Sequence, residues 1–411
     1  MTGRSIGSDA PASEGSGPLS GLTVLDCSTF VAGAVCARVL ADFGANWIKV
    51  EVPAGDPVRE MGAQVNGLGL LWKIFGRNAK PITLDLHAPE GQDIFRELTS
   101  RADVVVENFR PGVMERWGLG PEQLHAVNPQ LVVARITGFG QSGPYARRPA
   151  VGRIGQAFSG LSFMTGERGG RPLVPASAAL SDHIGGWTAC LGVLMALMHA
   201  RESGVGQVVD CSLYEASLPV LEDAFAVLGL TGEVRTRAGS ESPSHVPHDH
   251  YETSDGRWIA IACSSTRLFR RLCDVMASPG LRDDPELQSN AGRRSRRSDL
   301  DRAVAEWVHT RDFATVSQAL SAGEVPFSLI FGPEDMLQDP HYIERQSILS
   351  IEDDELGGSL LMPGVTPRLS LTPGAVAHPG LGVGACNDEV YGGLLGLLQE
   401  ELESLRERCV I

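Results

Sequence analysis

Eight cysteines (Cys27, Cys36, Cys190, Cys211, Cys263, Cys273, Cys386 and Cys409) form no C-x-x-C pair, and several sit inside apolar runs, as buried thiols do. That usage points away from a disulfide framework and toward a reducing, cytoplasmic setting. Positive charge is in deficit: 35 Lys and Arg against 50 Asp and Glu leave a net charge of −15. Such a balance argues against nucleic acid as a partner, while leaving room for a local basic pocket around an anionic ligand. Residues 1–18 contain no apolar core of the kind a signal peptide needs. They are rich in Gly, Ser and Pro and read as a disordered lead-in. No apolar run of transmembrane length stands out, so no membrane partner is expected. Repeats and low-complexity cores are absent as well.

What is present is ordinary globular material, with 43% hydrophobic and 21% charged residues over 411 positions. A chain of this length buries roughly three quarters of its unfolded surface, enough for one large domain and a smaller one. Residues 22–26 read as a buried strand, 32–43 as a helix of small residues, and 45–51 as a second strand. Strand, helix and strand at this spacing form a βαβ unit and imply a parallel sheet. Further strands over 82–85, 104–107 and 131–136 alternate with helices over 89–101 and 121–127. The alternation predicts a doubly wound α/β domain. A helix over 184–201 and a strand over 207–212 follow, and loops dominate 232–249. A smaller unit comes next, with a strand over 258–263, a helix over 267–276, an arginine-rich link and a helix over 300–308. Residues 335–346 lead into a β-rich and loop-rich return, with a last helix over 388–408.

The run Leu180-Ser181-Asp182-His183-Ile184-Gly185-Gly186 places one carboxylate at the mouth of the 184–201 helix. Free N–H groups and partial positive charge at a helix N-terminus keep such an aspartate ionised. Beside small residues, it can attack an activated acyl group as a covalent nucleophile. Asp is also among the commonest N-cap residues, and the local pattern by itself favours a plain cap.

Other motifs are weaker. Gly138-Phe139-Gly140-Gln141-Ser142-Gly143 matches G-x-G-x-x-G after a strand, but a dinucleotide fingerprint must open a helix. Here Pro144-Tyr145-Ala146-Arg147-Arg148-Pro149 follows and reads as loop. His245, His248 and His250 have spacing that could hold zinc, with Asp249 or Glu252 behind them. Their long polar loop, with no matching motif elsewhere, reads instead as a surface or substrate-facing segment. Arg293, Arg294, Arg296 and Arg297 read as a solvated helix start or turn. Residues 109–118 follow the end of a parallel strand, where α/β sheets bind ligands. There Arg110 and Arg116 suit a phosphate gripped bidentately, and equally suit plain surface charges.

In order and spacing, the segments PLSGLTVLDCSTFVAGAVCARVLADFGANWIKVE, ITLDLHAPEG, ADVVVENFRPGVMERWGLG, NPQLVVARITGFGQSGPY, GQAFSGLSFMTG, SDHIGGWTACLGVLMALMHARESGVGQVVDCSLYEA, YETSDGRWIAIA and LGVGACNDEV resemble the family III CoA-transferases. That group includes formyl-CoA transferase, carnitine CoA-transferase and, as a cousin, α-methylacyl-CoA racemase. The likeness runs from about residue 18 to residue 396.

The resemblance implies that Asp182 matches the family's catalytic aspartate. Its carboxylate would attack an acyl-CoA thioester to give a mixed anhydride, then an aspartyl-CoA thioester that the acceptor acid resolves. No ATP, metal or permanently bound cofactor is implied, and the CoA thioester is a substrate. Oxyanion donors would come from backbone N–H groups near Gly185 or in the 166–170 loop. Family CoA contacts carry over to Val31, Ala32, Arg77, Asn78, Ala79, Asn108, Phe109, Arg110 and Arg116. Ala150, Val151, Gly152 and Arg153 match the part near the thioester. Val52 departs from the pattern, since many relatives place an arginine there near the nucleotide. Arg153, Arg171 and the 245–250 loop with His248 are candidates to pair with the distal carboxylate of a dicarboxylic acid such as succinate, malate, mesaconate, citramalate or itaconate. Arg153 and Arg171 serve equally well to neutralise CoA or surface carboxylates.

The same resemblance implies a Rossmann-like large domain with a parallel sheet, built from both chain ends over 19–225 and 335–411. A smaller central α+β domain is expected over 240–330, with linkers at 226–239 and 331–334 and an interlocked homodimer. Three alternatives remain. A 2-methylacyl-CoA racemase shares the CoA pocket, but the racemase relatives carry a histidine where this chain has Val151, and valine cannot move a proton. Their second acid, a glutamate, would fall near 264–266, where no carboxylate stands. The other two are a zinc hydrolase built on His245, His248 and His250, and a non-catalytic CoA-binding protein.

Overall fold

A computed structural model describes residues 17–175 and 179–411, so all but the end of the expected lead-in lies outside the described residues. The chain divides into two units. The first comprises the chain up to Ser162, Val174–Glu233 and Glu344–Ile411, and the second comprises Phe163–Leu173 and Val234–Ile343.

In the first unit the elements run β1 (Thr23–Asp26), α1 (Ala32–Asp42), β2 (Asn46–Glu51), β3 (Ala79–Thr83), α2 (Pro89–Thr99), β4 (Val104–Glu107), α3 (Pro121–Val127) and β5 (Val132–Thr137). They continue as α4 (Gly152–Phe158), α5 (Leu180–Ser203), β6 (Val208–Ser212), α6 (Leu213–Ser217) and α7 (Ala224–Thr231). Six parallel strands form one sheet in the order β3-β2-β1-β4-β5-β6. Alternation along each strand divides the side chains between two cores, as a pleated sheet covered on both faces requires. Leu25, Ile48, Val50, Val105 and Val133 join α2 and the C-terminal Tyr391, Leu402 and Leu405 on one face. Val24, Trp47, Val104, Val106, Val132 and Ala134 meet α1 and α5 on the other.

Small residues let α1 and α5 approach closely. A Cβ on Gly186 would lie 2.6 Å from the Ala32 carbonyl oxygen, so only glycine fits that crossing. α5 is corrected in two respects. It starts at Leu180 with Ala179 at the N-cap, which places Asp182 inside the first turn instead of capping it. At 24 residues it is also long and apolar enough to cross a membrane by length and composition alone, against the expectation that no such run exists. Its Ala189, Cys190, Val193, Ala196 and Leu197 are packed in the core.

β3 begins before Pro81, although the sequence placed that strand after the proline. The sheet edge tolerates this, because a missing N–H there leaves no neighbour unpaired. The last helix is two pieces, Asp388–Leu394 and Gln399–Glu407, broken around Gly396 at φ +77°.

The second unit holds β7 (His248–Glu252), β8 (Trp258–Ala262), α8 (Thr266–Val275), α9 (Arg297–His309), α10 (Phe313–Ala322) and β9 (Phe327–Leu329). Its antiparallel sheet, β9-β8-β7, packs Tyr251, Ile259 and Ile261 against Leu272, Val304, Val308, Val316 and Leu320 of the helices. Ser265 caps α8 and Asp312 caps α10, each accepting a backbone N–H three residues on.

Candidate active site

Ligands settle on an open parallel sheet at the strands' C-terminal ends, where strand order reverses direction. Here that point lies between β1 and β4, and a cavity of about 1160 Å3 opens over their exits. This exceeds the roughly 300–1,000 Å3 of ordinary small-molecule sites, so it has room for a large ligand.

The exit of β1 is moulded by buried charge. Lys49 stands 3.5 Å from Asp26 and 3.2 Å from Asp56, and donates to the Ser28 carbonyl. Asp56 in turn accepts the backbone N–H groups of Phe30 (3.2 Å) and Val58 (2.9 Å). Phe30 is thereby held at φ +64°, and the chain turns so that Val31 and Ala32, at the start of α1, line the cavity. Asn108, at the exit of β4, accepts the Thr29 N–H at 2.8 Å and donates to the Thr29 carbonyl at 2.7 Å. This clamp fixes the two lips of the crevice against each other.

Asp182 reaches the cavity from the first turn of α5. Burial raises its pKa to about 6, while a hydrogen bond from its own backbone N–H pulls the other way. The backbone of Gly152, at the start of α4, presses on this carboxylate. A Cβ there would stand 1.8 Å from Asp182 Oδ2, so the observed position of the carboxylate requires glycine at 152.

Among the described residues, five arginines line the cavity (Arg110, Arg116, Arg147, Arg148 and Arg153), and Asp182 is the one carboxylate. Among the described residues none of the five is paired with a carboxylate. A chain of net charge −15 thus gathers five cations in one cavity, an arrangement suited to a polyanionic substrate.

The cavity brings together Val31, Ala32, Asn108, Phe109, Arg110, Arg116, Ala150, Val151, Gly152, Arg153 and Asp182, as the sequence grouped them. Arg77, Asn78 and Ala79 do not line it. Arg77 is buried and paired with Asp42 through Nε (3.0 Å) and Nη2 (2.6 Å), and it also donates to the Pro363 carbonyl. Asn78 donates to Asp42 and to the Ala375 carbonyl, and Ala79 lies buried in β3. Arg77 and Asn78 thus tie the end of α1 to the C-terminal return, so their side chains are already committed. Gly185 is a further correction as an oxyanion donor, because it sits within α5 against Leu213 and its N–H belongs to the helical ladder.

Sequence reasoning missed Arg147 and Arg148. The signal available was a pair of arginines closing the glycine loop after β5, a strand exit in a parallel sheet. That loop opens no helix before Gly152, as expected, and Gly138 lines the cavity.

Arg171 and His248 belong to the second unit. Arg171 is exposed. His248 opens β7 with its ring 6.3 Å from that of His245; burial, then His245, disfavour its protonation. Among the described residues no three His, Cys, Asp or Glu side chains converge as a metal site, which removes the geometric basis for the zinc hydrolase. The basic run is corrected in part: Arg294 is exposed and Arg297 opens α9, but two of its members are engaged. Arg293 is buried, donating to the carbonyls of Val246 (3.0 Å) and Leu287 (2.9 Å), and Arg297 donates to that of Ser242 (2.6 Å). These arginines brace the histidine loop instead of facing water.

Among the described residues no histidine lines the cavity; His183 turns into a column between Phe75 and Trp187, each 5.6 Å away. The histidine of the racemase relatives thus has no counterpart here, since Val151 stands in its place.

A family model described as CoA-transferase family III matches residues 19–384. The chain is 40% identical over 396 residues to succinyl-CoA–D-citramalate CoA-transferase of Chloroflexus aurantiacus, covering 96% of this chain and 98% of that protein. It is 37% identical over 397 residues to the beta subunit of succinyl-CoA–L-malate CoA-transferase from the same organism, with 96% and 98% covered. A crystal structure of a CAIB/BAIF family protein from Brucella suis superposes with a TM-score of 0.81 at 28% identity, covering 92% of this chain and all of that one.

Proposed function

Because the chain belongs to CoA-transferase family III, we propose that it moves CoA from succinyl-CoA to a dicarboxylic acid with Asp182 as the covalent nucleophile. The observation that carries this reading is the lone carboxylate of Asp182, held against Gly152 in an arginine-lined cavity. The Asp182 carboxylate attacks the thioester carbonyl and the CoA thiolate leaves, giving a mixed anhydride. The thiolate then attacks the Asp182 carbonyl, releasing succinate and forming an aspartyl-CoA thioester. The acceptor carboxylate displaces the thiolate to form a second anhydride, and the thiolate takes the new acyl group and restores Asp182. Every step conserves an activated acyl bond, so no ATP is consumed. Arg110, Arg116, Arg147 and Arg148 supply the cations for the phosphate-bearing part of CoA.

Arg153 directly follows Gly152, which touches Asp182, and it is our candidate for the distal carboxylate of the acid. Two parallel donors and a charge favour a carboxylate over any neutral group. With succinyl-CoA as donor and a panel of mono- and dicarboxylic acids, transfer should favour dicarboxylic acceptors. Arg153→Gln should lower kcat/KM for these by about 10- to 100-fold while sparing monocarboxylic ones. Equal loss for both classes would remove Arg153 from acid recognition and leave the transferase assignment standing.

We also propose that the protein works as an interlocked homodimer. α5 leaves Trp187, Leu191, Met195 and Met198 at 49%, 60%, 65% and 73% exposed, and α7 is an apolar helix with no buried residue. Unpartnered apolar faces of this kind mark interfaces. Sedimentation equilibrium should return twice the chain mass, and a monomer at micromolar concentration would sink the dimer.

A further inference from the structure

Arg148 is distinguished from the other arginines of the cavity by what lies beneath it. Its guanidinium carbon lies 3.6 Å over the centroid of the Tyr145 ring, three residues back along the loop. Among the described residues, none of Arg110, Arg116, Arg147 and Arg153 lies over an aromatic ring. Tyr145 is itself held by neighbours from other elements. Phe139 meets it at 6.0 Å and 73°, and Phe158 of α4 at 5.9 Å and 73°. Phe158 is set perpendicular to Phe139 at 5.1 Å and to Tyr214 of α6 at 5.0 Å. Edge-to-face contacts of this kind fix ring planes, because each positive ring edge meets a negative face.

We propose that Tyr145 is a positioning residue for acyl-CoA: it stacks Arg148 so that the free N–H edge of the guanidinium is presented in the cavity to a phosphate of the substrate. The inference rests on the CoA-transferase reading and adds the device that orients one of its cations. An exposed arginine samples many rotamers, and fixing one on binding costs entropy. The stack removes part of that freedom before the ligand arrives. A guanidinium stacked on a ring keeps its in-plane donors available for a bidentate oxyanion. The attraction is between cation and π-face, so the phenol hydroxyl contributes nothing to it.

The test is CoA affinity by isothermal titration calorimetry on the full-length protein, with acyl-CoA kinetics beside it. Tyr145→Leu should weaken CoA binding about two- to fivefold, the fold-change corresponding to an exposed cation–π contact. It should raise KM for acyl-CoA by a similar factor with kcat held. Tyr145→Phe should restore wild-type affinity. Arg148→Gln should weaken binding roughly tenfold, as for one charge-assisted contact. In that background Tyr145→Leu should have no further effect. Wild-type affinity in Tyr145→Leu, loss in Tyr145→Phe equal to that in Tyr145→Leu, or additivity with Arg148→Gln would each overturn the inference. Wild-type CoA affinity in Arg148→Gln would overturn it too, while transfer activity in the same preparation would show that the CoA-transferase reading survives.

Discussion

Asp182→Ala should fold and bind CoA yet lose CoA transfer by about a thousandfold or more, since no covalent intermediate can form without the carboxylate. The environment makes the wild-type pH profile informative as well. Burial holds Asp182 at a pKa of about 6, so kcat/KM should fall on the acid side with a midpoint there as the nucleophile is protonated. Stability carries the opposite sign. A carboxyl raised above its unfolded value of about 4 binds more protons in the native state between these limits. Stability is therefore lost as pH rises from about 4 through 6, and the penalty persists above that range. Asp182→Asn should remove this penalty and be more stable by about 2–3 kcal/mol at pH 8, with the difference vanishing below about pH 4. Trapping gives a direct check: hydroxylamine added with acyl-CoA should leave a hydroxamate on Asp182, detectable by peptide mass spectrometry. Substantial transfer by Asp182→Ala, or a label on another residue, would falsify the assignment.

Gly152→Ala is the second substitution with a large expected effect, and it adds only one methyl group. The new Cβ would occupy a point 1.8 Å from Asp182 Oδ2 and 2.7 Å from its Cγ. The carboxylate is the flexible partner, so it should swing aside while the backbone of α4 stays. Displacing a reacting atom by about 1 Å costs on the order of a hundredfold in rate, and kcat should drop by that much. CoA affinity should change little, because the arginines remain in place. Moved toward water, Asp182 should titrate lower, shifting the acid limb of the rate profile downward. Melting temperature should stay near that of the wild type. A Gly152→Ala enzyme with wild-type kcat and an unmoved acid limb would show that this contact does not set the nucleophile.

Legibility in the sequence followed the range of the interactions. β1, α1, β2, β4, α3 and β5 were readable to within a residue or two, because apolar periodicity and flanking Gly and Pro act locally. The same segments carried most of the cavity, since the exits of parallel strands follow the strands directly: Val31, Ala32, Asn108, Phe109, Arg110 and Arg116 come from two such exits. Asp182 was legible as a helix-start carboxylate, and only its resemblance to a family motif raised it above an N-cap.

The sequence by itself therefore determined the βαβ order and the parallel sheet with its strand exits. Tertiary structure decided everything that depends on residues distant along the chain. Arg77 pairs with Asp42 and reaches the Pro363 carbonyl, a contact across 286 positions that no local pattern encodes. Arg293 looked solvated because its neighbours are charged, but its partners, Val246 and Leu287, are carbonyls contributed by other turns. Tyr145 and Arg148 read as plain loop, and only packing sets Phe139 and Phe158 against the tyrosine. The contact between Gly152 and Asp182 joins residues 30 positions apart and sets the local chemistry. The physical reason is common to all of them: an exposed backbone pattern is set by near neighbours, whereas the partner of a charge, the plane of a ring and the space beside a carboxylate are set only when separate elements pack together.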